Sequence, residues 1–423
     1  MSSIMFLATE WGEAKGGANA LNQDLVTHCG LASGGKYRIS CAVIDATPDS
    51  IEKARENGVE LISLREKAGA SSFENEESEK ILAFLEKDKK RCDFVVGHDI
   101  FTGPVAVALA RRSKGKCGIF IHSKYASYKA AQDRGEAGNS LKKEAVQEQI
   151  VKEADFVFGV GPLLTDAAHD MDGSETKKRR RRIKNFIPGI PDISTHRLGW
   201  GVSAMCFGRF DDERNEIVKQ PHLAIAGYCK FAKELSASTH DPALIIVGLS
   251  GDLEKRNAQN ARIEALVGEY YDGAIPVKGI EFLPREIAWE RLKRSHFSLM
   301  LSWREGFGLV GWEAIAAGVP LLMSEQAGLC RHLSEKHSQL KGLYRSIPIR
   351  GWYDGLNDGD VSAVADALRK MYGEEEQLRS NARFLRAQLR SRYSWKRQAK
   401  RFMRMLDSKV FRFGPAEIRK RAG

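Results

Sequence analysis

The sequence predicts an α/β protein built from two doubly wound parallel sheets. Three observations lead there. Short apolar runs alternate with longer helical patterns through most of the chain, the signature of parallel strands joined by crossover helices. The chain has 423 residues, beyond the roughly 250–300 at which a single hydrophobic core stops growing. Apolar residues make up 43% and charged residues 29%, the mixture of a globular protein that buries real cores.

The first series of candidate strands runs Ile4–Ala8, Arg38–Ile44, Phe94–Gly97, Gly118–Ile121, Phe156–Gly159 and Ile183–Ile187. These are short, mostly apolar runs, as strands covered on both faces by helices require. Helical patterns lie between them, including Ala18–Cys29, Gly103–Arg112 and Ser140–Glu153. The segment Asn185–Asp192 then packs two prolines and a glycine into eight residues before a polar stretch to Ser203, which reads as a linker. A second series follows with strands Ala204–Gly208, Ala243–Val247, Phe297–Leu301 and Pro320–Met323. The expected organisation is residues 1–192 as a first doubly wound domain, 193–390 as a second and 391–423 as a basic helix and tail. The two domains are expected to face each other across a cleft, with ligands at the carboxyl ends of the strands.

Charge narrows the function classes. The whole chain carries +11, which invites nucleic acid or an anionic surface as partner. Residues 379–423 alone hold 15 basic and 2 acidic side chains, so residues 1–378 sum to −2. A uniformly basic nucleic-acid binder is thereby disfavoured. Seven scattered cysteines without a C-x-x-C pair argue against a disulfide framework or a zinc site. The start MSSIMFLATEW lacks the charged head and apolar run of a signal peptide, and no apolar run reaches the ~18 residues of a membrane span. The expected location is the cytoplasm, at most peripheral on a membrane.

The most informative stretch is Ser302–Pro320. An apolar strand runs into a loop with glycines at 306 and 308, then into an alanine-rich helix. Glycines let the backbone approach a ligand, and amides at a helix N-terminus suit a phosphate. Glu305 stands in the loop and Glu313 about two turns into the helix, placed to accept hydrogen bonds from sugar hydroxyls. The sequence Glu305-Gly306-Phe307-Gly308-Leu309 with Glu313 eight positions on, followed by Ala-Gly-Val-Pro, resembles the E-x7-E signature of retaining glycosyltransferases of family 4, which have the GT-B fold of two facing Rossmann-like domains.

That resemblance implies that 1–192 is the acceptor-side domain, 193–390 the nucleotide-sugar domain and 391–423 a helix and tail packing back on the first, and it implies roles for further residues. Lys15-Gly16-Gly17 after the first strand is similar to the Gly–Gly loop whose backbone lies against the donor diphosphate. Phe207-Gly208-Arg209-Phe210 resembles the Gly-Arg-Leu that ends the first strand of the second domain, where the Arg pairs with the diphosphate. A fixed guanidinium charge suits a phosphate leaving group. The family usually has Lys-Gly five or six residues after that Arg; here the spacing departs, with Arg214 in place by count and Lys219 by helix register ahead of the helix Pro221–Lys233. Lys219 is preferred, the extra residues bulging out.

His98 and His122 both end apolar strands. His122 resembles the family histidine beside the transferred sugar, and His98 matches a less constant position. Tyr125, Tyr128 and Lys129 are candidates for the acceptor side. Leu244–Gly248 resembles the strand and glycine near the nucleotide, placing Gly248 against the donor, and Ile280–Leu283 the segment that meets the base. Asn185–Asp192 resembles the family's interdomain turn, with Pro188 where an Asn is usual, so no ligand contact is expected there.

Two basic segments remain. The run 177–184 precedes a strand, at the edge opposite the expected ligand end, and reads first as a solvated loop. The tail carries Trp395, Ala399, Phe402 and Leu406 on one helical face and Lys396, Arg397, Lys400, Arg401 and Arg404 on the remainder, with Ser394 as a cap. The basic helix 394–421 is a candidate contact for nucleic acid or an anionic membrane.

The reading is a retaining, metal-independent glycosyltransferase with no required cofactor, using a UDP- or GDP-sugar as donor and an unidentified acceptor. Arg209, Lys219 and the glycine backbones neutralise the diphosphate, Glu313 binds the ribose, and Glu305 with His122 orients the sugar. The competing readings are a GT-B nucleotide-sugar epimerase or phosphorylase, and a catalytically degenerate sugar-nucleotide or polyanion-binding protein.

Overall fold

The computed structural model describes residues 2–12, 17–87, 92–125, 137–173, 182–195, 202–208, 213–235, 243–271, 277–351 and 355–407. Two compact units divide between Gly189 and Ile190, and the chain re-enters the first unit at Tyr393. Each contains one parallel sheet. No helix of the described residues is long and apolar enough to cross a membrane.

The first unit holds seven strands: β1 (Ser2–Leu7), β2 (Tyr37–Val43), β3 (Val59–Ser63), β4 (Phe94–His98), β5 (Lys116–Ile121), β6 (Phe156–Val160) and β7 (Ile183–Phe186). Their order is β3-β2-β1-β4-β5-β6-β7, all parallel. Central strands are buried throughout, as the all-apolar run Phe156–Val160 shows, because helices cover them. Helix Asp99–Arg112 packs on β4 and β5, and helix Pro162–Asp172 on β6 and β7.

The terminal helix Trp395–Asp407 belongs to this unit and packs beside helix Gly17–Ala32. Trp395, Ala399, Phe402, Met403 and Leu406 recur at three- and four-residue spacing and are all buried. The Phe402 ring lies 5.2 Å from Phe158, 5.8 Å from both Phe6 and Phe120, and 6.5 Å from Phe186. Asp407 closes the helix by accepting hydrogen bonds from Lys36 and Tyr37.

The second unit holds β8 (Ser203–Phe207), β9 (Ala243–Leu249), β10 (Val277–Glu281), β11 (Phe297–Met300), β12 (Leu321–Ser324) and β13 (Arg345–Ile347), in the order β10-β9-β8-β11-β12-β13. Its core gathers Tyr228, Phe231, Leu244, Phe297, Leu299, Leu322, Val364 and Leu368. The Tyr228 hydroxyl donates to the Val202 carbonyl at 2.7 Å, so the buried ring brings no orphaned polar atom.

The expected strands are present with ends shifted by one to two residues. Three edge strands escaped the sequence: β3, β10, of whose five residues none is buried, and β13. β3 has only five residues, with Glu60 exposed, and β13 only three, all partly exposed; edge strands need little apolar content. The basic run before β7 is also not wholly solvated. Arg182 is buried, bonding the Asp172 carboxylate and the Ala154 carbonyl; residues 177–181 of the run lie outside the described residues. All seven cysteines are free and buried, and burial pushes the Cys41, Cys206 and Cys229 thiols up to about 12.

Removing the Phe402 ring leaves a cavity among four aromatic neighbours. Phe402→Ala is expected to cost about 3–5 kcal/mol, whereas Leu31→Ala, at a side chain 60% exposed, changes stability by less than about 0.5 kcal/mol. Urea unfolding of both variants checks this.

Candidate active site

In the second unit the strand order reverses between β8 and β11, which are neighbours in the sheet. Connections leaving these two strands run in opposite directions and open a crevice at their carboxyl ends. Lys219 is the last residue of helix Glu213–Lys219, the first element after β8, and Glu305 stands in the loop after β11. Their side chains meet across the reversal, Lys219 Nζ to Glu305 Oε2 at 2.6 Å, with side-chain exposures of 26 and 17%. The Ser302 hydroxyl donates to the same Oε2 at 3.2 Å.

The backbone holds this meeting in place. Trp303 N donates to the Val218 carbonyl at 2.8 Å, tying the loop after β11 to the helix that carries Lys219. That helix is anchored in turn by buried Glu216, which accepts from Arg262 at 2.5 and 3.2 Å and lies 3.2 Å from His222 Nε2. The residues between Arg209 and the helix Pro221–Ala232 were expected to bulge; instead 213–219 form a helix of their own. A polar run hid it, since only Ile217 and Val218 are apolar within it.

The turn Glu305–Gly308 leads directly into helix Leu309–Ala317. It is braced by Gly328 N to the Glu305 carbonyl at 3.2 Å and Leu329 N to the Phe307 carbonyl at 2.6 Å. Position 328 must be glycine, because a Cβ there would stand 1.9 Å from the Gly306 carbonyl oxygen. Phe307 is buried, its ring 5.5 Å from Trp312. Glu313 is the fifth residue of its helix, little more than one turn in rather than two, since Gly308 precedes the first helical residue. The Arg285 Nε donates to Glu313 Oε1 at 3.1 Å, and the Arg285 guanidinium lies 4.5 Å over the Trp289 ring. Gly248, near the end of β9, has φ +125°, and a Cβ there would stand 1.8 Å from the Gly208 carbonyl oxygen. Side chains could not tolerate that crossing.

The first unit repeats the arrangement at its own reversal, between β1 and β4. His98 ends β4; its Nε2 donates to Asn22 Oδ1 at 2.9 Å, Asn22 lying on the helix after β1. With Nε2 as donor, His98 Nδ1 accepts from His122 Nε2 at 2.8 Å. This relay leaves His122 Nδ1 as the acceptor nitrogen. Burial holds His98 well below the usual imidazole range, helped by neighbouring His122, and lowers His122 to about 4. Both rings are neutral at pH 7.

Asp99 underpins this chain. It is fully buried and adopts φ +44°, a left-handed conformation that costs a non-glycine residue roughly 1–2 kcal/mol. The carboxylate compensates by accepting from His122 N at 2.9 Å and Gln147 Nε2 at 2.7 Å. Burial nevertheless raises it to about 7.

Of the residues singled out from sequence, the structure brings together Lys219 and Glu305 in the second unit, with Gly306, Phe307, Gly308, Leu309 and Glu313 following in order. In the first it joins His98 and His122. Gly17 opens helix Gly17–Ala32 and is exposed, and Tyr125 is buried. Gly16, Tyr128, Lys129 and Arg209 lie outside the described residues, as does the side chain of Arg214. Sequence reasoning missed Asn22, Asp99, Gln147, Arg285 and Ser302. Only Asp99 carried a signal, as a carboxylate directly after a strand-end histidine. Among the described residues no group of three or more His, Cys, Asp or Glu side chains could hold a metal ion.

A family model described as family 4 glycosyltransferase in conflict systems matches residues 5–402. The chain belongs to this family. No curated protein matches the sequence. Among solved structures, sucrose-phosphate synthase from Thermosynechococcus elongatus is similar at 18% identity and TM-score 0.67, covering 96% of this chain and 98% of that one. Anabaena HepE, solved in complex with UDP and glucose, is similar at 13% identity and TM-score 0.69, covering 96 and 100%. Trehalose 6-phosphate synthase from Burkholderia multivorans follows at 16% identity and TM-score 0.64, covering 100 and 99%. At such identities the likeness establishes the fold, which is GT-B, and this glycosyltransferase carries the Lys219–Glu305 pair within its second unit.

The buried acid of the first unit gives a pH signature. Asp99 ionises less readily folded than unfolded, so its contribution to stability is full below about pH 4 and is lost as pH rises through about 7. His98 and His122 act oppositely, their contribution being full above about pH 6.5 and lost as pH falls through their lowered values. In Asp99→Asn only the first component disappears. The stability of wild type relative to this variant is expected to fall between pH 4.5 and 7.5, by about 1.4 kcal/mol per unit of pKa displacement; urea unfolding at the two pH values measures it.

Proposed function

We propose that this glycosyltransferase is a retaining enzyme that moves a sugar from a nucleoside diphosphate donor to a hydroxyl-bearing acceptor. The observation that carries the reading is the Lys219–Glu305 pair, set at the strand reversal of the second unit beside the glycine turn that opens helix Leu309–Ala317. An ammonium held 2.6 Å from a carboxylate at a strand reversal can exchange that partner for a phosphate oxygen. The amides of the turn add partial positive charge at the helix N-terminus.

In this reading the bond from the anomeric carbon to the diphosphate oxygen breaks with its electron pair leaving on the phosphate. Lys219, with Arg209 by resemblance, stabilises that developing charge. The acceptor oxygen bonds the anomeric carbon on the face the diphosphate leaves, and the acceptor proton passes to the departing phosphate oxygen. Glu305 accepts from sugar hydroxyls, and its bond from Ser302 fixes the carboxylate plane. Glu313, oriented by Arg285, accepts from the ribose hydroxyls. In the first unit, neutral His122 offers Nδ1 as a hydroxyl acceptor, and His98 is a positioning residue that fixes the tautomer. UDP in the HepE complexes makes a uridine donor the first to try.

Incubation with a panel of UDP-, GDP- and ADP-sugars, with nucleoside diphosphate release followed by chromatography, tests the reading. One donor is expected to be hydrolysed slowly, with release of the same anomer. Lys219→Ala and Glu305→Ala are expected to lower that turnover by about 10²–10³-fold, the scale of losing one charge-stabilising group, without loss of folding. Full turnover in either variant, epimerised donor, or strict dependence on free phosphate contradicts the proposal.

A further inference from the structure

The terminal helix of the first unit carries charge that the catalytic reading leaves unused. Lys396, Arg397, Lys400, Arg401 and Arg404 are all exposed. At about 100° and 1.5 Å per residue they fill an arc of about 140° and a length of about 12 Å. Several other surface cations are paired with an acid: Lys53 with Asp49, Arg55 with Glu52, Arg112 with Glu79, Arg331 with Glu335 and Arg369 with Glu234. Among the described residues none of the five has an acidic partner; Arg404 Nε donates only to the Lys400 carbonyl, at 3.2 Å. The one acid of the helix, Asp407, is turned to Lys36 and Tyr37 and does not temper the stripe.

Such a stripe works against its own helix. Lys396 with Lys400, Arg397 with Arg401 and Lys400 with Arg404 are like charges at four-residue spacing, which is destabilising. The chain beyond the helix adds Lys409, Arg412, Arg419, Lys420 and Arg421 against Glu417 alone. We propose that the exposed face of helix Trp395–Asp407 binds the phosphate backbone of a nucleic acid. A duplex presents one negative charge per about 1.7 Å of axis, dense enough to engage all five cations over the length of the stripe. An anionic bilayer fits less well. Interfacial helices sink an apolar face into lipid, and here Trp395, Phe402, Met403 and Leu406 are buried in the protein core. Contacts of this kind read charge and not sequence.

The proposal goes beyond the catalytic reading and stands or falls separately, because its readout is binding. Anisotropy of a labelled mixed-sequence DNA duplex of about 20 base pairs, with RNA and single strands as further arms, is recorded over a salt series. Wild type is expected to bind with a steep loss of affinity as salt rises. The variant Lys396→Glu/Arg397→Glu/Lys400→Glu/Arg401→Glu is expected to bind at least tenfold more weakly, with a log–log salt slope shallower by about 3–4, about 0.9 per lost phosphate contact. Replacing the same four residues by Gln gives a milder variant should the reversal unfold the helix, and circular dichroism reports folding in both. Lys53→Glu/Arg55→Glu, on helix Pro48–Glu56, is expected to leave affinity and slope unchanged. No binding by wild type to any of the nucleic acids, an unchanged slope in the folded variants, or preferential binding of wild type to phosphatidylserine vesicles overturns the proposal.

Discussion

Reversal of strand order between two neighbouring parallel strands is the constraint from which the rest follows. Right-handed crossovers force the connections after β8 and β11 to opposite sides of the second sheet, which opens a crevice at the carboxyl ends of the two strands. Lys219 and Glu305 occupy the two lips of the crevice and meet across it. The first sheet reverses between β1 and β4, and there Asn22 and His98 meet in the same way. Polar chemistry is concentrated where the fold cannot bury apolar side chains.

The contacts that hold these polar groups are made by the backbone more than by side chains. Gly248 passes so close to the Gly208 carbonyl, and Gly328 to the Gly306 carbonyl, that any Cβ would collide. These crossings fix the turn after β8 against the end of β9, and the loop after β11 against the segment after β12, so the charged side chains begin from a rigid frame. A partly exposed ion pair such as Lys219–Glu305 contributes about 1 kcal/mol or less to stability. Its position therefore reflects preorganisation more than stability, and a ligand anion can displace the carboxylate at small cost. In the first unit the balance is different. Asp99 is held in a strained conformation and fully buried, and its bonds to His122 N and Gln147 offset that cost while setting the direction of the histidine relay.

How much was legible in the sequence depended on whether a feature was written in local pattern. The central strands were, because continuous apolar runs such as Phe156–Val160 have few other uses. The glycine turn with Glu305 and Glu313 was, because its residue types and spacing lie within one short stretch. The edge strands β3 and β13 were not, since a three-residue strand such as Arg345–Ile347 carries no period. Helix Glu213–Lys219 was also hidden, as it is specified by Glu216 bonding Arg262, 46 residues away. Asn22 bonding His98, Gln147 bonding Asp99 and Arg285 bonding Glu313 join residues distant in sequence, which no spacing rule can reach. Net charge misled until it was divided, because the terminal segment outweighs an otherwise slightly acidic chain.

The central claim is that the strand reversal of the second unit is the donor diphosphate site. A crystal structure with a nucleoside diphosphate bound tests it most directly. The account predicts a diphosphate oxygen within hydrogen-bond distance of Lys219 Nζ, the amides of Gly306–Leu309 pointing at the phosphates, and the ribose hydroxyls on the Glu313 carboxylate. A nucleotide bound elsewhere, with the Lys219–Glu305 contact intact and solvent at the turn, would contradict it.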